Sequence, residues 1–490
     1  MNHKRLSARG ALAPLFTSLF AALVLAGCST TPTFEPAAPL AFKELDGRWA
    51  ALRPAEAQSR GEWWKSFADP LLDDLVARAD RNNTSIQLAA ARLAQARALL
   101  RSTDADRLPQ LGLNGGANRQ SASPALGTTA AGNVFNAGLG ASYEPDLFSR
   151  LAGASNAAAL DAQSREALVQ STRLLVQSDV AQTYFGLRAL DAERALVRQT
   201  VVAYRDTLHL TERRDAAGGV AELDLARVRT EVASTESQAL ALDRRRAELE
   251  HALAVLLGEL PSALTLTERL ADKAGRTGGN DGTEGNDRSG ALPQVPPGVP
   301  STVLARRPDV AAAQRTMQAA QARVGIAQAA WFPDVSLTAS GGFASADPGD
   351  LLKWSARAWS VGALLSIPIL DDGRREAGVR SANAQWDAAA AGYREQVLVA
   401  FRDVEDQLSS LRLLADQATA QAQAVDSASR ATVHSTSRYR NGYVSQLELL
   451  DAGRSELANR RQALQVRSAQ YQSTIGLIRA LGGGWGTTPV

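Results

Sequence analysis

The chain has 490 residues, of which 45% are hydrophobic and 21% are charged, an ordinary composition for a folded protein. Its net charge of +2 at pH 7 produces no general attraction to nucleic acid, so we expect no nucleic-acid partner. One cysteine excludes an intrachain disulfide, and four histidines offer few metal ligands. We therefore expect no metal site and no bound cofactor.

The first residues have the pattern of an export signal. Lys4, Arg5 and Arg9 form a basic stretch, and residues 11–26 form an apolar segment of signal-peptide length. This segment leads through Leu-Ala-Gly to Cys28, the one cysteine in the chain. The alternative is an ordinary signal peptide that happens to contain a cysteine.

Small residues before a lone cysteine resemble the lipobox of bacterial lipoproteins. The resemblance implies cleavage before Cys28 and a covalent lipid there, namely a diacylglycerol thioether and an N-acyl chain such as palmitate. Ser29 follows, rather than an aspartate, and in such lipoproteins this favours the outer membrane. We therefore expect a protein anchored by lipid to the bacterial outer membrane, with most of its mass in the periplasm.

Two halves of the chain repeat each other at an offset of 224 residues. The sequence Leu-Pro-Gln-Leu around Pro109 matches Phe-Pro-Asp-Val around Pro333. The same offset relates Arg150 to Arg374, Arg214 to Arg438, Gly218 to Gly442, Val220 to Val444, Leu223 to Leu447 and Gly258 to Gly482. A single ungapped register of this length indicates an internal duplication.

Composition divides the chain further. Residues 271–300 are rich in Gly and Pro, which predicts a flexible connector between the halves, and residues 31–39 are predicted to be an extended tether. We assign residues 1–27 to the signal, 28–67 to the lipid-anchored tether, 68–260 to the first repeat, 261–300 to the connector or equatorial region, 301–484 to the second repeat and 485–490 to a C-terminal tail.

Each repeat begins with a helix and a strand pair. The helices are predicted over about residues 70–106 and 308–331. In the strand candidates that follow, apolar residues alternate with Gly, Ser, Asn or Thr, a pattern typical of a sheet with two unlike faces. The apolar positions are Leu111 and Leu113, alternate residues from Phe135 to Tyr143, from Val335 to Ala339, and from Trp359 to Ile367. Small polar residues on the other face suit a water-filled lumen.

Long helices follow each strand pair. No proline occurs from Leu151 to Arg214, where apolar residues recur at the three- and four-residue steps of a coiled coil. About 60 residues at a rise of 1.5 Å would span on the order of 90 Å. Gly218-Gly219 ends this helix, a second helix is predicted from Glu222 to Leu257, and the second half repeats the pattern through Asn441-Gly442.

The predicted strands require several copies of the chain. Beyond the signal no run approaches the roughly 20 apolar residues of a membrane-spanning helix, so a membrane crossing would have to be a β-barrel. Four strands cannot close a barrel, whereas two copies would supply eight and three would supply twelve. Small polar residues on one face favour the larger ring, which can leave a channel. The predicted fold class is an α+β membrane protein with an internal duplication.

Short motifs along the mature chain resemble those of the TolC/OprM-type outer-membrane efflux proteins, closest to the lipid-anchored OprM-like branch. They are Tyr-Glu-Pro-Asp-Leu-Phe-Ser-Arg at 143–150, Arg-Arg-Pro-Asp-Val at 306–310, Pro-Ile-Leu-Asp-Asp-Gly-Arg at 368–374 and Arg-Tyr-Arg-Asn-Gly at 438–442. The resemblance implies a homotrimer whose 12-stranded β-barrel, four strands per chain, continues into a long periplasmic α-helical barrel. It also implies docking to a periplasmic adaptor, or membrane fusion protein, and to an inner-membrane RND transporter.

In that family the stretch after the second helix turn lines the periplasmic tip of the channel. Leu447 and Asp451 match positions that form constriction rings, Arg454 matches a tethering basic residue, and Glu448 lies beside them. Leu447 and Asp451 share a helix face, and three-fold symmetry would make Asp451 a ring of three carboxylates. The alternative is that Asp451 and Arg454 form an exposed ion pair worth roughly a few tenths of a kcal/mol.

The two halves differ at this gate, because the first-half counterpart of Asp451 is Arg227. We therefore expect one main acidic ring, formed by the second half. The two helix turns are the predicted adaptor contacts, although ordinary helix caps would explain the same residues. The predicted contact residues are Arg214, Gly218, Gly219, Val220, Arg438, Asn441, Gly442 and Val444.

Enzyme function has little support in the sequence. His209, His251 and His434 lie in helical runs without metal-ligand spacing, and no glycine-rich phosphate-binding loop opens a helix. We therefore predict a passive duct for drugs or other small molecules, driven by a partner. The alternatives are the outer-membrane duct of a type I protein secretion system and a periplasmic coiled-coil scaffold without a channel.

Overall fold

A computed structural model describes residues 61–120, 132–268, 292–293 and 307–483. It contains two compact units, a strand unit around residues 111–150 and 329–368 and a helical unit formed by the rest. The helices are α1 (Pro70–Asn82), α2 (Thr84–Ala105), α3 (Arg150–Ala216), α4 (Glu222–Leu256), α5 (Pro308–Ala329), α6 (Arg374–Arg440) and α7 (Gln446–Ala480). The strands are β1 (Gln110–Gln120), β2 (Gly132–Tyr143), β3 (Asp334–Ser345) and β4 (Arg357–Ser366).

The helix bounds confirm the internal duplication. Helices α2 and α5 both have 22 residues, α3 and α6 both have 67, and α4 and α7 both have 35. Each helix in the second half begins 224 residues after its counterpart. None of the helices in the described part of the chain is both long and apolar enough to cross a membrane.

The first predicted helix, over residues 70–106, is divided into two helices at Asn83. This residue has extended backbone, and its side-chain oxygen accepts hydrogen bonds from the amides of Ser85 and Ile86, which caps α2. Its side-chain nitrogen donates to the Leu256 carbonyl at 2.8 Å, at the end of α4. One asparagine therefore starts one helix and completes the hydrogen bonding of another.

The second half uses a different side chain for the same purpose. Arg307 lies 224 residues after Asn83, and its guanidinium donates to the carbonyl of Ala480 at 3.3 Å, at the end of α7. The buried guanidinium also binds the carboxylates of Asp309 and Asp403. The duplication thus preserves a backbone contact while the residue that makes it has changed.

The strand unit is one sheet in the order β1-β2-β3-β4. Strands β2 and β3 are antiparallel, with Tyr143 opposite Leu337, and β3 and β4 are antiparallel, with Leu337 opposite Ala363. This register aligns the alternating apolar positions of the three strands on one face, and it aligns Ser, Gly and Thr on the other. The two unlike faces predicted from the sequence are therefore present.

Residues at the edges of the predicted tether and connector belong to the folded helical unit. Residues Trp63–Phe67 form a 3-10 helix, and both tryptophans and Phe67 are buried. Phe67 packs against Phe185 of α3, with ring centroids 4.9 Å apart. Leu264 and Leu266, which follow α4, are buried in the same core. The remainder of the predicted tether and most of the predicted connector lie outside the described residues.

A buried carboxylate organises the middle of the helical unit. The Asp191 side chain is fully buried and accepts hydrogen bonds from Arg246 at 2.7 Å and Arg188 at 3.2 Å. Arg194 also pairs with Asp191 and reaches Glu268 at 3.1 Å. Because Arg246 donates to the Leu266 carbonyl at 2.8 Å, the network joins α3, α4 and residues 264–268.

Asp191→Ala is expected to lower the free energy of unfolding by about 3–5 kcal/mol, because it leaves buried arginines without their shared carboxylate. The loss can be measured as a lower midpoint in thermal unfolding followed by circular dichroism. The control is Asp161→Ala, which breaks a half-exposed pair with Arg323 and should cost at most about 1 kcal/mol. Equal effects of the two substitutions would contradict a structural role for the Asp191 network.

Candidate functional site at the helix turns

Both helical hairpins turn through a glycine with left-handed backbone. Gly218 has a φ of 71° and Gly442 has a φ of 75°, a conformation that side chains rarely adopt. The next amide in each turn donates to a carbonyl five residues earlier, from Gly219 to Arg214 at 2.8 Å and from Tyr443 to Arg438 at 2.9 Å. Both turns therefore have the hydrogen bonds of a Schellman motif, as the predicted helix caps require.

Side-chain contacts tie the two turns together. The Arg214 guanidinium lies over the ring of Tyr439, 5.1 Å from its centroid. The Gln446 side chain, at the start of α7, donates to the Thr211 hydroxyl at 2.8 Å, and both side chains are buried. The contacts of Thr211 with Gln446 and of Arg214 with Tyr439 were not predicted from the sequence, because no local pattern relates residues this far apart in the chain.

The start of α7 is defined more firmly than the start of α4. The Ser445 hydroxyl accepts a hydrogen bond from the Glu448 amide at 3.4 Å, whereas Ala221 at the equivalent position has no side chain that can cap. The carboxylate of Glu448 lies 4.0 Å from Arg438 across the turn. Among the predicted gate and turn residues, the structure thus brings Glu448 and Arg438 together.

The predicted gate residues lie on the uncovered side of α7. The Leu447 side chain is 46% exposed and Asp451 is also exposed, whereas Leu450 is buried against Tyr204, Val228 and other apolar residues of α3 and α4. Because Leu447 and Asp451 are four residues apart, they form one exposed stripe. A single chain therefore presents the leucine and the carboxylate together on a surface that another copy could approach.

Arg454 forms its ion pair with Glu231 of α4, not with Asp451. The guanidinium is half-exposed and the Glu231 carboxylate is largely buried. The carboxylate, by accepting this hydrogen bond, raises the pKa of Arg454. Within the described residues, Asp451 has no basic group within 4.0 Å of its carboxylate. The structure therefore does not contain the Asp451–Arg454 ion pair that was the alternative interpretation of these residues.

The first half has no equivalent of this arrangement. Arg227, the counterpart of Asp451, pairs with Asp224 at 3.4 Å. Glu231 has Ser455 as its counterpart, so the pairing across α4 and α7 occurs in one direction only. The sequence analysis did not single out Glu231. The one local feature that could have indicated it is that Glu231 is an acidic residue close to the turn, in the half where Arg227 replaces the acidic Asp451.

Next to this ion pair lies a buried hydroxyl. The Tyr204 side chain is 7% exposed, and its hydroxyl has no hydrogen-bond partner among the described residues. Burial raises the pKa of Tyr204. The hydroxyl lies so close to Gly453 that a β-carbon there would be 3.4 Å away. Tyr204 therefore fills the space under the turn of α7 that precedes Arg454.

Among the described residues, no three histidine, cysteine or acidic side chains are grouped so as to hold a metal ion. His209 lies in α3, where its ring nitrogen is 2.7 Å from the guanidinium of Arg213. The site consists of the exposed carboxylates of Glu448 and Asp451, the Arg454–Glu231 ion pair that joins α7 to α4, and the two hydrogen-bonded turns.

Comparison with known proteins identifies relatives along nearly the whole chain. The family described as "Outer membrane efflux protein" matches residues 75–259 and 299–483. The chain is 31% identical to the cation efflux system protein CusC of Escherichia coli O6:H1, covering 95% of this chain and 97% of that protein. It is 33% identical to the solvent efflux pump outer membrane protein SrpC of Pseudomonas putida, with the same coverage.

Solved structures agree with these likenesses. The outer-membrane channel OprN is 29% identical, with a TM-score of 0.78, and the match covers 89% of this chain and 95% of that chain. The resemblance and the fold class predicted from the sequence are confirmed.

Tyr204→Phe is expected to leave stability unchanged or raise it by up to about 1 kcal/mol, because it removes a buried hydroxyl that has no partner. The measurement is the midpoint of thermal unfolding. The matched control is Tyr184→Phe, which removes a hydrogen bond to Asp69 and should destabilise by about 1 kcal/mol. Destabilisation by Tyr204→Phe of the same size would show that its hydroxyl has a partner.

Proposed function

The chain belongs to the outer membrane efflux protein family, and from this membership we propose that three copies form the passive exit duct of a tripartite, RND-type efflux system. The observation that carries the proposal is the four-stranded sheet with two unpaired edges, joined in sequence to two 67-residue helices. The sheet of one chain therefore cannot close into a barrel and would form one part of a shared barrel.

The edges of the sheet favour a homotrimer. Strands β1 and β4 are the edge strands, and every residue of β4 is exposed in the single chain. Trp359 and Val361, both on the apolar face, are 78% and 76% exposed. Unpaired amides in lipid cost several kcal/mol each, so β4 of one copy must pair with β1 of the next. Three copies close the ring with twelve strands and leave a channel.

The long helices suit a duct that reaches other components. A helix of 67 residues spans about 100 Å, many times the roughly 30 Å hydrocarbon core of a membrane. The two closed turns at the ends of the helices are the proposed contact with a periplasmic adaptor, which would connect the duct to an inner-membrane transporter. We infer no catalysis by this chain, so the transporter supplies the energy.

The exposed stripe of α7 is the proposed gate. Three copies would place three Asp451 carboxylates in a ring, with Leu447 forming an apolar constriction next to it. The Arg454–Glu231 pair and the Gln446–Thr211 hydrogen bond hold α7 against α4 and α3. These ties oppose an outward rotation of α7, and their rupture would accompany opening.

Cargo and anchoring are also part of the proposal. The relatives CusC and SrpC are described as efflux proteins for cations and for solvents, and both classes are small. We therefore assign small molecules to this duct. The lipid anchor is assigned to Cys28, which lies outside the described residues, and most of the folded mass to the periplasm.

Asp451→Ala is expected to increase the conductance of the reconstituted protein in a planar bilayer and to weaken block by divalent cations, because the ring loses its charge. Glu231→Gln, which releases Arg454, should raise the open fraction by up to about fivefold, the equivalent of roughly 1 kcal/mol.

The control for the conductance measurement is Asp426→Ala, an exposed carboxylate that pairs with Arg430 on α6. It removes the same charge away from the proposed gate and should leave conductance unchanged. Equal conductance of wild type and Asp451→Ala would contradict the gate, and absence of any conductance would contradict the duct.

Cys28→Ala is expected to abolish incorporation of radiolabelled palmitate, because no other cysteine can form the thioether. Each buried methylene of an acyl chain contributes about 0.8 kcal/mol to membrane binding, so the variant should also be released more readily from membranes. The control is Ser29→Ala, which leaves the acceptor intact. Unaltered labelling in Cys28→Ala would contradict lipidation at this residue.

A further inference from the structure

One end of the apolar sheet face carries basic residues. The face contains alternate residues of β4, including Trp359, Val361 and Leu365, and Arg357 begins the same series. Arg357 lies opposite Phe343, so it occupies the last paired row of the apolar face between β3 and β4. This row is at the hairpin end of the sheet, opposite the strand ends that lead to the helices.

Arg357 is paired with an aromatic ring rather than with an acid. Its guanidinium lies 4.7 Å from the centroid of Trp354, whose side chain is 75% exposed. Among the described residues, no carboxylate lies within 4.0 Å of the guanidinium. Lys353 precedes the tryptophan and pairs with Asp350 at 2.5 Å, and Leu352 beside it is 78% exposed. Cations and apolar side chains are therefore exposed together.

The opposite edge of the sheet places a second arginine on the same face and at the same end. Residues Asn114 and Gly116 of β1 lie on the polar face of the sheet. A β-carbon added at Gly116 would contact the side chain of Asn136, and one added at Gly140 would contact the side chain of Asn114; both Asn136 and Gly140 are polar-face residues of β2. Alternation then places Leu111, Leu113 and Arg119 on the apolar face. Arg119 is exposed and lies near the hairpin end of β1.

We propose that Arg357, Lys353 and Trp354 of β4 and its loop, together with Arg119 of β1, bind the phosphate groups of an anionic lipid in the outer leaflet. The arrangement at the seam rests on the proposed trimer, in which β4 of one copy pairs with β1 of the next. That pairing would bring Arg357 and Arg119 of neighbouring copies to the same face, each near the hairpin end of its strand.

The chemistry of these residues selects a lipid phosphate. Guanidinium groups match phosphate oxygens in a bidentate geometry, and tryptophan prefers the boundary between headgroups and acyl chains. An arginine on a lipid-facing surface is costly at the membrane midplane but nearly neutral close to the interface. The exposed Leu352 and the apolar row below Arg357 would contact the acyl chains. A soluble anion, in contrast, would contact only the basic side chains and would leave the exposed apolar residues without a ligand.

The test uses the purified full-length, acylated protein in detergent, with bisphosphorylated lipid A as the probe and native mass spectrometry as the measurement. Dephosphorylated lipid A and dioleoylphosphatidylethanolamine are the comparison lipids. We expect preferential retention of the bisphosphorylated lipid. Arg357→Gln and Arg119→Gln should each weaken its binding about fivefold, the usual contribution of one basic residue at an anionic surface.

The matched control is Arg244→Gln, which removes an exposed arginine in α4, away from the sheet, and should retain wild-type lipid binding. Arg357→Lys should bind with intermediate affinity, because it keeps the charge but not the planar fork. Retention of the conductance and of SDS-resistant oligomers by the variants shows that they are folded.

Three results would overturn the lipid site. They are equal binding of dephosphorylated lipid A, unchanged binding by both Arg357→Gln and Arg119→Gln, and displacement of the lipid by millimolar inorganic phosphate, which would indicate an anion site instead. Loss of conductance in the wild-type protein would contradict the duct and is measured separately. The two failures are therefore distinguishable.

Discussion

Backbone amides and carbonyls must find hydrogen-bond partners wherever water is excluded, and this requirement governs the strand unit. Within the part of the chain that the structure describes, each half contributes two strands, and the four form one sheet. Among the described residues, every side chain of β4 on its apolar face is exposed, and the edge strands of the sheet are β1 and β4. The proposed pooling of strands between copies follows from these facts. The same pooling would place the exposed stripes of α7 around a common axis.

The duplication preserves backbone geometry more strictly than side chains. Both hairpins close with the same pair of main-chain hydrogen bonds, and both long hairpins end at a carbonyl that a residue from another segment satisfies. That residue is asparagine in one half and arginine in the other. Position 451 of the second half is acidic whereas its counterpart is basic, and Ser445 caps a helix that Ala221 leaves uncapped. Two equivalent scaffolds therefore carry different surfaces, and the proposed gate uses the surface of the second half.

Several weak interactions near the turns together hold the helices against one another. A cation–π contact, a buried side-chain hydrogen bond and one ion pair join α3, α4, α6 and α7 within the same region. Each contributes on the order of 1 kcal/mol or less, so no single one makes the region rigid. The deeper parts of the helical unit have a different character, because Asp191 and its arginines are buried together. Such weak contacts near the turns are consistent with the proposed gate, which would have to move to open.

Periodicity and repetition in the sequence were sufficient to predict the long helices, the strands, the unlike faces of the sheet and the 224-residue duplication. Each of these features depends on residues close in sequence or on a constant offset. The family resemblance then indicated the candidate gate residues, which remain a prediction. The sequence did not predict that Asn83 would divide the first helix, because its second hydrogen bond is to a residue 173 positions away. Nor did it predict that Arg454 pairs with Glu231, since the two are 223 residues apart and no local pattern relates them. Tertiary structure alone decided these contacts, because they depend on how distant helices pack rather than on the pattern within any one of them.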